Sequence, residues 1–277
     1  MYILCLHCDD TPGVVAAVAT CLSNAQCNIE ESSQFNDHLS GQFFMRVVFK
    51  PLEENARAQF EESFGDVAKR FSMRWHIKDQ SLPIKTALLI SKADHCLNDI
   101  LYRYRTKNLN IDITAVISNH EMHRKLVEDR GLSYHYLPSD DKAAQEQKMR
   151  AIFEETGTEL IVLARYMQVL SADMCASYEG RIINIHHSFL PGFKGAKPYH
   201  QAYERGVKII GATAHFVTAD LDEGPIIVQD TMPIDHSYGP GKLQILGRDT
   251  ESAVLSRAIH LYTESRIFLH GHRTVIL

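Results

Sequence analysis

The chain has 277 residues, of which 45% are hydrophobic and 23% are charged, and its net charge is −5. This composition is typical of a soluble globular protein, and the length indicates about two domains. The acidic balance argues against non-specific binding to nucleic acid or to an anionic membrane. No apolar run is long enough for a transmembrane helix, and the first residues lack the features of a signal peptide, so a cytoplasmic location is expected.

Residues 1–80 contain short segments, some with the hydrophobic periodicity of a strand and others with that of a helix. The run YILCLHC predicts a strand, and TPGVVAAVATCLSNAQ predicts a helix with Thr11 as its N-cap and Pro12 in its first position. The strands CNIEESSQF and GQFFMRVVF flank the polar turn NDHLSG. A helix in EENARAQFEESFGDVAKRF and a strand in SMRWHI follow. The order is βαββαβ, which predicts a ferredoxin-like domain.

A polar segment, DQSLPI, separates this domain from a region with a different pattern. We predict a linker at residues 81–84 and a second domain at residues 85–277. The apolar strands TALLIS, ITAVIS, SYHYL, ELIVLA and RIINIH alternate there with amphipathic helical segments. This alternation predicts a Rossmann-like, mostly parallel sheet covered on both faces, so the fold class is α/β.

The last part of the chain departs from this alternation. GATAHFV and PIIVQDTMPI follow one another closely, which indicates an antiparallel edge of the sheet. A long helix is predicted over residues 249–269, starting at an acidic cap, and RTVIL is predicted as a final strand.

Two clusters of polar residues stand next to predicted strands of the second domain. Asn184 and His186 share one face of the strand RIINIH, because strand side chains alternate with period two. In open α/β sheets, ligands bind at the carboxyl ends of strands, where these residues lie. The second cluster, HFVTADLDEGPIIVQ, places His215, Asp220 and Asp222 in or beside an acidic loop between two strands. The two clusters together predict a site built from Asn, His and Asp.

These residue types suit attack on a carbonyl without a covalent protein nucleophile. A carboxylate raises the basicity of an imidazole or positions a water, while Asn and a protonated His stabilise an oxyanion. Two other interpretations stay open: a hydrogen-bonded polar pair that anchors a loop, beside a solvated acidic hairpin, and a metal site at His186, His187, His215 and Asp222. Adjacent histidines on a strand should face opposite ways, and no H-E-x-x-H helix is present, so no metal or cofactor is expected.

The stretches NIHHSFLP and AHFVTADLDEGPI resemble the folate-dependent formyltransferases, which include the glycinamide ribonucleotide transformylases. The resemblance implies that Asn184, His186 and Asp222 form the catalytic set. It also implies that the segment LARYMQVLS contacts the pterin ring of a folate substrate and that the loop 218–223 closes over it. The residues expected to bind the substrate are Met167, Gln168, Val169, Leu170, His215, Asp220 and Tyr199.

The first domain resembles an ACT domain, with DDTPGVV between its first strand and first helix. ACT domains bind small amino acids and pair subunits. The resemblance therefore implies an amino-acid effector that contacts Asp10, Gly13 and Asn28, and a homo-oligomer formed through this domain. The same turn can also serve as a helix start with no ligand.

An ACT domain followed by a formyltransferase-like domain resembles the formyltetrahydrofolate deformylase family, and the similarity runs over nearly the whole chain. The resemblance implies hydrolysis of 10-formyltetrahydrofolate to formate and tetrahydrofolate, which balances one-carbon folate pools and supplies formate for purine biosynthesis. Formyl transfer to an amine acceptor and a non-catalytic folate-binding regulator remain as alternatives.

One departure from the transformylases favours water as the acceptor. They have a Gly/Ser-rich turn after the first strand of the catalytic domain, whereas the turn here, SKADHCLNDIL, has no glycine. Backbone amides approach a phosphate less closely without glycine. Lys194 and Lys197 are candidate contacts for the glutamate tail of folate. Tyr199 and His200 are candidates for shaping the formyl pocket or excluding an amine.

Overall fold

The computed structural model describes residues 1–192 and 198–277, with no description of the Pro198 side chain. The predicted contacts Lys194 and Lys197 lie outside the described residues. The chain divides into two compact units. The first unit comprises Met1–Leu82, Glu264–His270 and Val275–Leu277, and the second comprises Pro83–Thr263 and Gly271–Thr274. The division falls within the predicted linker, whereas the sequence predicts that the C-terminal residues of the first unit belong to the second domain.

The first unit is a four-stranded antiparallel sheet with two helices on one face. Its elements are β1 (Tyr2–Asp9), α1 (Val14–Asn24), β2 (Cys27–Asp37), β3 (Gln42–Pro51), α2 (Ala56–Arg70) and β4 (Arg74–Asp79). The strand order is β2-β3-β1-β4, the ferredoxin-like arrangement that the sequence predicts. Phe49, Phe60 and Phe64 are fully buried between the helices and the sheet, and their rings contact one another in series.

The start of α1 differs from its prediction. The helix begins at Val14, and Gly13 precedes it in a left-handed conformation with φ of 94°. Because glycine adopts this conformation without steric cost, the chain turns at Gly13 and leaves Thr11 and Pro12 outside the helix. The prediction of Thr11 as N-cap is therefore wrong.

The second unit is built on a seven-stranded sheet. Its elements are β5 (Ile84–Ile90), α3 (His95–Arg105), β6 (Ile111–Ser118), α4 (Arg124–Glu128), β7 (Tyr134–Tyr136), α5 (Lys142–Thr156), β8 (Leu160–Ala164), α6 (Ala172–Ser177), β9 (Ile182–His186), α7 (Pro198–Arg205), β10 (Ile209–Phe216), β11 (Ile226–Pro233) and α8 (Pro240–Thr263). The strand order is β11-β10-β9-β8-β5-β6-β7. The strands from β9 to β7 are parallel, and β10 and β11 form the predicted antiparallel edge.

The central strands explain why the functional residues gather at one edge. Every residue of β8 is buried, as expected for a parallel strand covered on both faces. The chain moves outward in opposite directions from β5, which makes the carboxyl ends of β5, β8 and β9 a topological switch point. Arg165 and His187 directly follow the two strands β8 and β9 at this edge.

The C-terminal part differs most from the prediction. The long helix α8 runs over Pro240–Thr263 rather than over residues 249–269. It starts with proline in the first helical position, a start signal that the nearby glycines obscured. Two short strands follow, β12 (Ile267–His270) and β13 (Arg273–Ile276), and the second is the predicted final strand. Phe268, Val275 and Leu277 cover the face of the first unit's sheet opposite its helices, which is why this segment belongs to the first unit.

Across the part of the chain that the structure describes, no helix combines the length and apolar character needed to span a bilayer. All six cysteines are buried and none forms a disulfide.

Candidate active site

The pairing of β9 with β10 brings the first two polar side chains together. His215 on β10 lies opposite Asn184 on β9 in the antiparallel register, and Asn184 Nδ2 is 3.2 Å from His215 Nε2. His215 Nδ1 donates to the carbonyl oxygen of Phe216 at 2.8 Å. Because that nitrogen carries the proton of the neutral ring, Nε2 accepts from the Asn184 amide. One hydrogen of the Asn184 amide is thus used, and the other remains for a ligand.

The loop between β10 and β11 delivers the carboxylate. Asp222 has a positive φ of 58° and places its Oδ2 atom 3.3 Å from His186 Nδ1. Its Oδ1 atom is 3.7 Å from His215 Nε2. The loop closes tightly at Gly224, where an added Cβ would overlap the carbonyl oxygen of Phe216. The structure therefore brings Asn184, His186 and Asp222 into one cluster, as the sequence predicts.

The electrostatics of this cluster favour an ionised carboxylate. The hydrogen bond with His186 is the main reason that the pKa of Asp222 lies well below its usual range, and the nearby His215 acts in the same direction, although burial acts in the opposite direction. His186 points its Nδ1 atom toward this carboxylate. Its Nε2 atom is buried and has no hydrogen-bond partner among the described residues. His186 therefore keeps one nitrogen available for chemistry.

These groups line a cavity of about 330 Å³, the catalytic cavity. One wall is the segment after β8, where Met167 and Val169 are 60% and 55% exposed and Leu170 is buried. The loop from Val217 to Asp222 forms another part of the lining. Exposed apolar side chains beside a set of polar groups are typical of a site for a flat heterocycle.

The predicted substrate-binding residues divide into two groups. Those that line the catalytic cavity are Met167, Gln168, Val169, Leu170, His215 and Asp220. Tyr199 does not line it, and its hydroxyl donates to Glu251 Oε1 at 2.6 Å instead. His200, its neighbour on α7, is exposed.

A buried polar network next to the cavity was not predicted. The side chain of Glu251 is only 1% exposed, and its Oε2 atom contacts His95 Nε2 at 2.8 Å and Arg165 Nε at 3.3 Å. Tyr199 binds its other oxygen because Gly247, one turn earlier in α8, leaves room for the tyrosine ring. A charged residue directly after an apolar strand, as in LIVLAR, was the one sequence signal of this network.

The network extends to His187, whose position also differs from the prediction. Arg165 Nη1 donates to His187 Nδ1 at 2.6 Å. Burial, then the charge of Arg165, lowers the pKa of His187 to about 4, so this ring is neutral at physiological pH. The rings of His186 and His187 stack with centroids 4.8 Å apart. The expectation that they face opposite ways is wrong because β9 ends at His186 and strand alternation ends with it.

The whole chain is similar to characterised protein families. A model of the formyl transferase family matches residues 84–259. A formyltetrahydrofolate deformylase of Corynebacterium sp. (strain P-1) is 45% identical over 283 residues, which span 100% of this chain and 98% of the relative. The chain belongs to the formyltetrahydrofolate deformylase family. Another family member, from Escherichia coli (strain K12), is 39% identical over 98% of this chain and 96% of its own length.

Solved structures agree with this family assignment. The crystal structure of the deformylase from Burkholderia mallei is 47% identical, covers 100% of this chain and 99% of its own, and superposes with a TM-score of 0.95. Glycinamide ribonucleotide transformylase 1 from Symbiobacterium toebii is 30% identical over 73% of this chain and 97% of its own, with a TM-score of 0.68. The formyltransferase fold therefore describes the larger part of the chain, and the deformylase structure matches all of it.

One group of side chains offers atoms that could hold a metal ion. Among the described residues, ligand atoms of His95, Cys96 and Glu251 lie within 4.8 Å of one another. However, His95 already contacts Glu251, and burial raises the pKa of the Cys96 thiol far above its usual value. A protonated thiol is a poor ligand. The arrangement fits a buried hydrogen-bond network better than a metal centre.

The predicted effector residues lie in the first unit. Asp10 is exposed, and its backbone N–H donates to Gly41 at 2.8 Å. Gly13 sits at the start of α1, and the side-chain amide of Asn28 donates to Glu30 Oε1 at 3.0 Å. The role of Asp10, Gly13 and Asn28 as contacts for an effector stays a prediction from the sequence.

Proposed function

We propose that this chain hydrolyses 10-formyltetrahydrofolate to formate and tetrahydrofolate. The observation that carries the proposal is the cluster at the catalytic cavity: the ionised Asp222 contacts His186, and Asn184 presents a free amide hydrogen beside it. Its relatives along the whole chain carry the name formyltetrahydrofolate deformylase. A binding protein without chemistry has no need of all three side chains, so the geometry argues against a non-catalytic folate regulator.

In the proposed reaction, His186 is the group that handles the proton. Its Nε2 atom takes a proton from water as the water oxygen attacks the formyl carbon. Asp222 stabilises the imidazolium that forms, through Nδ1. Asn184 donates to the developing oxyanion. The bond from the formyl carbon to the folate nitrogen then breaks, that nitrogen takes the proton from His186, and formate and tetrahydrofolate leave.

The walls of the cavity supply the positioning. The pterin ring of the folate lies between the segment from Met167 to Leu170 and the loop that carries Asp220 and Asp222. The partly exposed apolar side chains on the first wall provide the contact area for the ring. This arrangement holds the formyl group against the polar cluster, where correct orientation contributes strongly to rate.

The test is incubation of the chelator-treated protein with 10-formyltetrahydrofolate alone. We expect formate and tetrahydrofolate in equal amounts, without an added amine or metal. The variant His186→Gln should abolish turnover, whereas His38→Gln, at an exposed turn of the first unit, should retain it. Bound folate with no formate released would contradict hydrolysis and would favour transfer to an amine acceptor.

The finer parts of the proposal concern regulation and place in the cell. We propose a cytoplasmic enzyme that needs no metal or cofactor, balances one-carbon folate pools and supplies formate for purine biosynthesis. The first unit serves as an ACT-like regulatory and dimerisation domain, with Asp10, Gly13 and Asn28 as contacts for an amino-acid effector. Calorimetric titration with glycine and methionine, together with sedimentation, tests this. No heat, no change in activity and a monomer would contradict it.

A further inference from the structure

Two neighbouring cavities have one lining residue in common. His187 lines the catalytic cavity together with His186 and Asn184. It also lines a neighbouring cavity of about 190 Å³. Among the described residues, His187 is the one that both linings share, and its imidazole is named the partition here.

The second cavity is apolar and large enough for more than water. Its walls include Phe189, Ala202, Val207, Ile209 and Ile210. Such a lining favours an apolar group, because burial of apolar surface is worth roughly 25 cal/mol per Å². If the nitrogen of an amine reached the formyl carbon, an apolar substituent on that amine would extend into the second cavity. The ring of His187 lies between the two positions.

A hydrogen bond and a stacking contact hold the partition in position. Arg165 donates to His187 Nδ1 at 2.6 Å, and Glu251 contacts Arg165 from the buried side. The ring also stacks on His186. Moving His187 aside would leave the largely buried Arg165 Nη1 without this acceptor, which is costly.

We propose that His187 is a specificity-determining residue that limits the nucleophile to water by closing the catalytic cavity off from the second cavity. This inference rests on the proposed hydrolysis. Because Arg165 donates to Nδ1, the neutral ring carries its proton on Nε2, and this N–H, buried and without a partner in the described structure, is free to bind the attacking water. The wall thus excludes a larger nucleophile and offers a donor to the small one.

The partition predicts a change of acceptor when the ring is removed. In the variant His187→Ala, the nitrogen of a small apolar amine attacks the formyl carbon. The bond to the folate nitrogen breaks, that nitrogen gains a proton and the amine nitrogen loses one. The products are an N-formyl derivative of the amine and tetrahydrofolate, in place of formate and tetrahydrofolate.

The experiment measures the ratio of the two formyl products with O-butylhydroxylamine, an apolar amine that is uncharged near neutral pH. Wild type is first assayed without amine, so that a failure of hydrolysis itself is seen separately. His187→Ala and His187→Ser both open the partition, and the serine offers Arg165 an acceptor. His187→Phe is the matched control, because it keeps a ring in place. Formate and the formylated amine are quantified by mass spectrometry.

We expect the ratio of formylated amine to formate to rise about tenfold or more in the two truncated variants, the discrimination that small changes in an apolar pocket provide. The phenylalanine variant also lacks the Nε2 donor, so its formate release should fall, but its yield of formylated amine should stay at the wild-type level. Formylated amine at the wild-type level in the truncated variants, or an equal rise of its yield in His187→Phe, would overturn the proposal. If a truncated variant releases neither product, calorimetric titration of the amine into its folate-saturated form decides, because absence of binding there also overturns the proposal.

Discussion

Replacing Asn184 with alanine removes the side chain that we propose as the donor to the oxyanion. One amide hydrogen of Asn184 is bound to His215 Nε2 at 3.2 Å, and the other is the proposed oxyanion donor. Loss of one such donor typically lowers turnover by about 10²–10³, or roughly 3–4 kcal/mol. The same change leaves the buried His215 Nε2 atom without its donor, which costs roughly 1–3 kcal/mol of stability.

The assay separates these two effects. We expect kcat to fall by the full factor while KM for 10-formyltetrahydrofolate stays nearly constant, because the donor acts mainly in the transition state. Unfolding by denaturant should show the accompanying loss of stability. Asn98→Ala, which removes an exposed amide bonded to Asp94 on α3, is the matched control and should change neither kcat nor KM. Turnover of Asn184→Ala equal to that of wild type would refute the oxyanion role.

Three further predictions concern the surroundings of this group. The folded state lowers the pKa of Asp222 below its usual 3.8, so the ionised carboxylate stabilises the protein above that pH, and this stabilisation is lost as the pH falls toward the lower folded value. The free energies of unfolding of wild type and Asp222→Asn, measured by denaturation across pH, should therefore converge in acid. A difference that stays constant with pH would contradict this. Arg165→Met should raise the pKa of His187 above about 4 but leave it below 6.5, because burial lowers this pKa more than the charge of Arg165 does. NMR titration of the histidines measures the pKa, and an unchanged value would refute the effect of the Arg165 charge. Gly247→Ala should destabilise the protein by about 1–3 kcal/mol, because the added Cβ would overlap the ring of Tyr199. Gly241→Ala in the same helix is the control: its Cβ would meet no atom within 4 Å, so the change should be neutral or stabilising. Equal shifts of the melting temperature in the two variants would contradict the close approach of Tyr199 to Gly247.

Local patterning was sufficient to predict the polar cluster. The period of two along RIINIH places Asn184 and His186 on one face, and the structure shows both at the catalytic cavity. The acidic loop lies between adjacent antiparallel strands, so its reach to that face follows from strand order alone. Both inferences needed only neighbours in sequence and the rule that strand ends of a parallel sheet share an edge.

Features that depend on distant parts of the chain could not be predicted in this way. Glu251 is surrounded by polar residues of an amphipathic helix, and nothing local shows that it is buried against Arg165 and His95. The stacking of His187 on His186 depends on where β9 ends. The C-terminal strands cover a sheet that lies more than two hundred residues earlier, and only the packing of Phe268 reveals it. In each case tertiary contacts override the local pattern.

In the proposed mechanism, water attacks the formyl carbon at the cluster of Asn184, His186 and Asp222. The most direct test is turnover of 10-formyltetrahydrofolate in ¹⁸O-labelled water, with mass analysis of the formate. We expect each formate to carry one solvent oxygen and tetrahydrofolate to form in equal amount. Formate without the label, or tetrahydrofolate formed without formate, would contradict it.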